Sequence, residues 1–207
     1  MAVRYISDSG IGLTDAQAKR MGVICIQHNI LYKGEPIEDR DGVFLEEEHL
    51  KLAAPNAEQY REVFEKYPAD ELIYVTWSQR TKVTVTFDQI RQLEIPNLTM
   101  IDSGFAAEAQ LEVLKRVMAG EPYDDIRHFF IVKNPTTGWI PAVKDKFCLF
   151  TMKEGEFELL KTFDTKFIAL KELRKRINTR LHYREEFNSV IGLHFGKDYV
   201  GGMHLNF

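Results

Sequence analysis

The sequence predicts an α/β protein in two parts. Residues 1–123 should form a mainly parallel sheet with flanking helices, and residues 124–207 a smaller α+β part. Three observations predict this. The first half repeats one unit, a short apolar strand, a hydroxyl-bearing turn and a helix, which favours parallel strands with helices on the sheet faces. The second half carries the strand-like runs Phe147–Met152 and Phe157–Thr162, joined by the glycine-bearing turn Lys153–Glu156, which marks an antiparallel hairpin. Between the halves, Pro122–Asp125 interrupts the periodic segments and supplies the boundary.

The elements follow in order. Val3–Ile6 reads as a strand and Thr14–Met21 as a short helix that Thr14 caps and Gly22 stops. Val23–Tyr32 reads as one β-rich run ending at the turn Lys33–Pro36. Leu45–Leu52 and Ala57–Lys66 read as helices, the second with Tyr60, Val63 and Phe64 on one face. Glu71–Thr76 is a strand that opens into the hydroxyl-rich stretch Trp77–Thr86, and Phe87, Ile90 and Arg91 follow with helical spacing. Leu98–Ile101 is a third such strand. After it comes the strongest helical pattern, with Ala107, Leu111, Leu114 and Met118 on one face, Ser103 as candidate N-cap and Gly120 as stop. In the second half Phe129–Val132 reads as a strand, Thr165–Asn178 as a helix capped by Asp164, and Val190–Phe195 as the closing strand.

Composition narrows the function classes. Hydrophobic residues make up 44 % of 207, enough for a packed core, and the net charge of −4 argues against a nucleic-acid binder. Cys25 and Cys148 sit in apolar strand-like runs and read as buried free thiols of a reducing compartment. No signal-peptide pattern opens the chain, and no apolar run approaches the ~20 residues that cross a bilayer, so a cytoplasmic location without stable membrane insertion is expected. The common nucleotide-binding loops are absent, as are the usual zinc motifs. No cofactor or metal is expected. The acidic run Glu46–Glu48 and the basic run Lys171–Arg176, with Arg180, read as solvated helix faces, the basic one also as a docking surface for an acidic partner.

Ligands of an open parallel sheet bind beyond the carboxyl ends of its strands. Three strands here end in polar turns: Ser7–Ser9, Ser78–Thr86 and Asp102–Ser103. Each feeds a helix whose first N–H groups are unpaired, so converging hydroxyls and N–H groups would hold an anion. Taken singly, each turn is equally a helix cap. Taken together, they point to one site, with Ser9 and Ser103 as candidates.

The order of these segments resembles the DegV family of bacterial fatty-acid-binding proteins. ISDSGIGLTDAQAKRMGV, from Ile6 to Val23, resembles the family's opening strand, T-D-S-T turn and short helix. NILYKGEPIEDRDGVFLEEEHL resembles the next strand, turn and helix, and MIDSG with the helix ending in AGEPYDDI resembles the family's I-D-S strand and helix. FCLFTMKEGEFELLKTFDTKFIALKEL resembles its hairpin and helix, and VIGLHFGKDYVGG its closing I-G-x-H-x-G-P-G segment, on which His194 matches. The resemblance spans nearly the whole chain. It implies a two-domain fold with a lipid between the domains, the carboxylate held at the polar end, and the acyl group presented to a separate fatty-acid kinase. The binding protein itself is not an enzyme.

The departures bear on the site. The family's T-S-Q-P-S falls on Leu52–Asn56, where the hydroxyls are gone, and its S-G-T-Y falls on Lys82–Val85, where only Thr84 survives and Lys82 replaces the serine. An inward Lys82 would pair with a carboxylate directly, and charge-assisted hydrogen bonds are the stronger kind. The closing G-P-G becomes Gly196–Asp198, and NPTTGWIPAVKD stands where a longer helical stretch is usual, so the second domain is expected to be shortened. The leading expectation is a fatty-acid carrier with Ser9, Lys82, Thr84, Ser103 and His194 at the carboxylate. A second is a degenerate interaction or regulatory protein whose tunnel is filled by a bulky side chain such as Trp77 or Trp139. A third, a small hydrolase, would need a base beside a hydroxyl of the turn cluster.

Overall fold

The computed structural model describes residues 1–37, 50–81, 86–135 and 140–206. The first half is built on four parallel strands. β1 (Val3–Asp8) leads through α1 (Asp15–Met21) to β2 (Val23–Ile26). Then β3 (Asn29–Tyr32), β4 (Glu35–Ile37) and β5 (Leu50–Ala53) form a small antiparallel sheet in the order β4-β3-β5. α2 (Ala57–Phe64), β6 (Glu71–Thr76), α3 (Phe87–Arg91), β7 (Leu98–Asp102) and α4 (Ala107–Ala119) complete the half, and the parallel sheet runs β2-β1-β6-β7. The chain then crosses to an antiparallel sheet. It contains β8 (Arg127–Val132), β9 (Phe147–Lys153) and β10 (Glu156–Phe163), with α5 (Lys166–Arg174) packed on one face. β11 (His182–Tyr183), α6 (Ser189–Phe195) and β12 (Val200–His204) close the fold, and the sheet order is β10-β9-β8-β12-β11.

Local chemistry explains most of these boundaries. Thr14 caps α1 with a full capping box, its hydroxyl accepting from Gln17 N–H while Gln17 reaches back, and Gly22 ends the helix in the left-handed region at φ 71°. Asn56 and Thr86 cap α2 and α3 in the same reciprocal way. The largest apolar cluster joins the two halves: Ile11, Trp77, Phe105 and Val113 from the first pack with Phe130, Phe150, Phe187, Phe195 and Tyr199 from the second.

Five expectations need correction. Val190–Phe195 is helix α6, not a strand, and the closing strand is Val200–His204. A six-residue apolar run buried on all sides has no period that separates helix from strand. In the true strand, Gly201 and Gly202 hide the β signal. They are there because a Cβ on Gly201 would lie 1.9 Å from a Glu108 carboxylate oxygen, and one on Gly202 2.7 Å from Ile177. The run Val23–Tyr32 breaks at Gln27–His28 into strands of two different sheets. Of the predicted helix Leu45–Leu52, residues 45–49 lie outside the described residues, and Leu50–Ala53 pairs with β3 as a strand. Ser103 does not cap α4; Ala106 holds the N-cap position without a side-chain bond. Finally, α5 is shorter than expected and is capped by Thr165, while Asp164 pairs instead with Lys146.

Candidate functional site

The site grows from the end of β1. Asp8 is wholly buried, and its carboxylate is consumed by the fold. It accepts from Gly10 N–H at 2.9 Å, Thr76 Oγ1 at 3.0 Å, Trp77 N–H at 3.1 Å and the Tyr74 hydroxyl at 3.2 Å. These bonds tie the exit of β1 to the exit of β6 and fix where the next residue points. That residue is Ser9, also wholly buried.

Ser9 is gripped from two further elements. Its Oγ accepts from the backbone N–H of His28 at 2.8 Å and lies 2.8 Å from His28 Nδ1. Its carbonyl accepts from Asn188 Nδ2 at 2.7 Å, and the same amide nitrogen donates to the Leu13 carbonyl at 3.1 Å. Asn188 thus fastens the start of α6 to the loop after β1. His194, on α6, lies edge-on to His28 with ring centroids 6.3 Å apart. Which of Ser9 Oγ and His28 Nδ1 donates across their contact depends on the imidazole tautomer.

His194 is an uncharged member of this cluster. Burial, with a smaller repulsion from His28, pushes its pKa down to about 3. The neutral imidazole is what the native state selects. Stability from this group is therefore present above the unfolded value near 6.5 and is lost as pH falls towards 3. In a proton NMR titration from pH 8 to 5, the His194 ring resonances should hold still; a midpoint near 6.5 would show that the ring is solvated.

The structure brings together two of the five predicted residues. Ser9 and His194 meet through His28. Ser103 lies two strands away, just past β7, and at about 4.8 Å per strand its end of the sheet is roughly 10 Å from that of β1. Its hydroxyl closes a tight turn, accepting from Phe105 N–H at 3.1 Å and donating to the Phe105 carbonyl at 3.2 Å. It lines a separate cavity of about 410 Å³ with Arg80, Tyr123 and Lys153, whereas His28 and Asn188 line one of about 680 Å³ with Thr14, Gln27 and Asn29. Lys82, Thr84 and Trp139 lie outside the described residues.

Sequence reasoning missed His28 and Asn188. The signal for His28 was available: β2 adjoins β1 in the sheet, so the residues just past Ile26 belong to the same row of strand ends. Reading Val23–Tyr32 as one strand concealed that end. Asn188 carried the signal of an N-cap before an apolar run, which was hidden by reading α6 as a strand.

Between the strand ends and α6 stands Trp77. It is wholly buried, stacks on Phe195 at 5.8 Å and 15°, and lies 5.1 Å from the His194 ring. Gly10 makes room for it, since a Cβ there would lie 2.0 Å from the indole. Among the described residues no group of three metal-binding side chains occurs, and no helix is long and apolar enough to cross a membrane. Both cysteines are free thiols. Burial, then the charges of Asp8 and Asp15, push the Cys25 thiol up to about 12, which makes it a poor nucleophile.

No protein-family model and no curated protein matches the chain. Solved structures do. A protein of Thermotoga maritima whose structure reveals fatty-acid-binding function matches with a TM-score of 0.75 at 15 % identity, over 100 % of both chains. A DegV family protein of Thermus thermophilus, described for its fatty-acid binding, matches with a TM-score of 0.75 at 14 % identity, also over 100 % of both chains. DegV of Bacillus subtilis, a fatty-acid-binding protein, matches with a TM-score of 0.70 at 15 % identity, over 97 % of this chain and 98 % of that one. At these identities the likeness fixes the fold.

Proposed function

We propose that this chain, which has the DegV fold, binds a fatty acid or a similar long-chain acid and does no chemistry on it. The observation that carries this reading is the full-length likeness to structures described as fatty-acid-binding. The local chemistry supports it. Ser9 and His28 meet at 2.8 Å, His194 adds a neutral ring, and Ser9 is held from two further elements by His28 and Asn188. Such a cluster presents polar groups of fixed geometry at the edge of an aromatic core, which suits a small head group on an apolar tail. In this reading Lys82 and Thr84 complete the head-group set, Lys82 as the countercharge for the carboxylate. Ser103, on its separate cavity, is left out of it. Presentation of the bound acyl group to a separate fatty-acid kinase is the partner step this function implies.

The test is organic extraction of the purified chain followed by mass spectrometry, with added palmitic acid as a second arm. One long-chain acid per chain in either arm supports the reading. No acyl species in the extract and no uptake of added acid contradict it.

The buried Trp77 favours a second reading, in which the fold has kept its scaffold and filled the lipid path. Here the protein works through its surface, as an interaction or regulatory module. It predicts that the unaltered chain takes up no acid and that shortening Trp77 allows uptake.

A further inference from the structure

The basic run that the site does not use lies on α5. Between Lys166 and Arg176 there are five cations and one acid, in a chain whose net charge is −4. The helix buries Ala169 and Leu173 against the antiparallel sheet, in a cluster with Phe147, Leu149 and Phe163. Its opposite face carries Phe167, Ile168, Lys171, Arg174 and Lys175. These positions are three, four and seven residues apart, so they share one side of the helix.

Two features of that face are unusual. Phe167 is 78 % exposed and Ile168 51 % exposed, next to each other in the first turn, in a fold with ample core in which to bury them. And among the described residues neither Lys171 nor Arg174 has an acidic partner, whereas Lys166 pairs with Asp198, and Lys175 and Arg176 share Glu172. Neighbouring apolar side chains with cations one and two turns further on form a convex amphipathic ridge. Such a ridge can sink two apolar groups below a layer of negative charge while its cations stay at that layer.

We propose that this face of α5 docks the protein peripherally on an anionic lipid surface. Phe167 and Ile168 enter the headgroup layer, and Lys171 and Arg174 pair with lipid phosphates. The docking goes beyond the lipid-binding reading and does not depend on an occupied head-group cluster. It would bring a carrier of long-chain acids to the phase in which such acids dissolve.

The test is co-sedimentation of the full chain with vesicles free of fatty acid. One set is phosphatidylcholine alone, the other phosphatidylcholine with about one-third phosphatidylglycerol, enough to give the surface a negative potential. Binding to the anionic set is expected to exceed binding to the neutral set by at least tenfold, and to weaken as salt is raised because the Debye length shortens. F167S/I168S and K171E/R174E alter exposed side chains only. Each is expected to lower vesicle binding at least tenfold with an unchanged circular dichroism spectrum. Equal binding to both vesicle sets overturns the proposal, and so does unchanged binding by the two variants. Binding to poly-glutamate without binding to anionic vesicles also overturns it, and assigns the face to an acidic protein. If the chain docks on vesicles but neither extraction nor added palmitic acid gives a bound acyl ligand, the docking stands and the carrier reading falls.

Discussion

Replacing Glu108 by alanine is expected to destabilise the protein by about 3–5 kcal/mol, the cost typical of breaking a buried ion pair or network from one side. Glu108 is 2 % exposed and sits on α4, where it meets the second half of the chain. His128 Nε2, on β8, lies 2.9 Å from one carboxylate oxygen, and the Tyr199 hydroxyl donates to the other at 2.5 Å. Alanine removes the acceptor of both groups at once and leaves a void against Gly201. Burial alone would raise the Glu108 pKa, but the attraction of His128 and the hydrogen bonds from His128 and Tyr199 outweigh it, so its pKa lies below 4.5. A depressed carboxylate stabilises the fold above its unfolded value, and that contribution is lost as pH falls through the lower folded value. Urea denaturation at pH 7 and again below pH 4.5 reads both effects. The alanine variant should be much weaker at pH 7, and its stability should change less on acidification. A loss under about 1 kcal/mol at pH 7 would mean that the halves are not held together here.

Shortening Trp77 to alanine is the second large effect, about 3–5 kcal/mol for a fully buried aromatic. The indole fills the space between Gly10, in the turn after β1, and His194 and Phe195 on α6, and these two segments are tied together by Asn188 and cannot simply close in on the gap. Denaturant midpoints measure the loss. The variant also separates the two functional readings. If the chain is a carrier, the unaltered protein takes up palmitic acid, and the Trp77 variant binds it more weakly because His194 loses its support. If the indole fills a former lipid path, uptake is seen in the variant only.

The sequence was most informative where one residue decides a local shape. Thr14 and Gly22 bound α1, and Gly120 ends α4 at φ 70°. The strands Glu71–Thr76 and Leu98–Asp102 are short apolar runs followed by polar turns, and they lie side by side in the parallel sheet as the repeated unit implies. The sequence was least informative where tertiary contacts overrule local signals. Gly201 and Gly202 look like strand breakers and sit in a strand, because the Glu108 carboxylate and Ile177 occupy the space a side chain would need. Val190–Phe195 looks like a strand and is a helix whose residues neighbouring elements bury on every side; Asn188 holds its N-cap position but spends its amide on the Ser9 and Leu13 carbonyls. The second of these misreadings concealed Asn188, and reading Val23–Tyr32 as one strand concealed His28. His28 and Asn188 hold Ser9, and each follows a boundary that the sequence reading blurred. Ser103 shows the converse case. A hydroxyl at a strand end was counted towards the site, yet the order of the sheet places β6 between it and Ser9.

The most direct measurement is an electron-density map of crystals grown with palmitic acid. The account predicts one acyl chain whose head-group oxygens lie within hydrogen-bonding distance of Ser9 Oγ or His28, beside His194. Density for the head group in the cavity of Ser103 and Lys153 would contradict it, and so would a well-ordered map with Trp77 in place and no acyl chain at all.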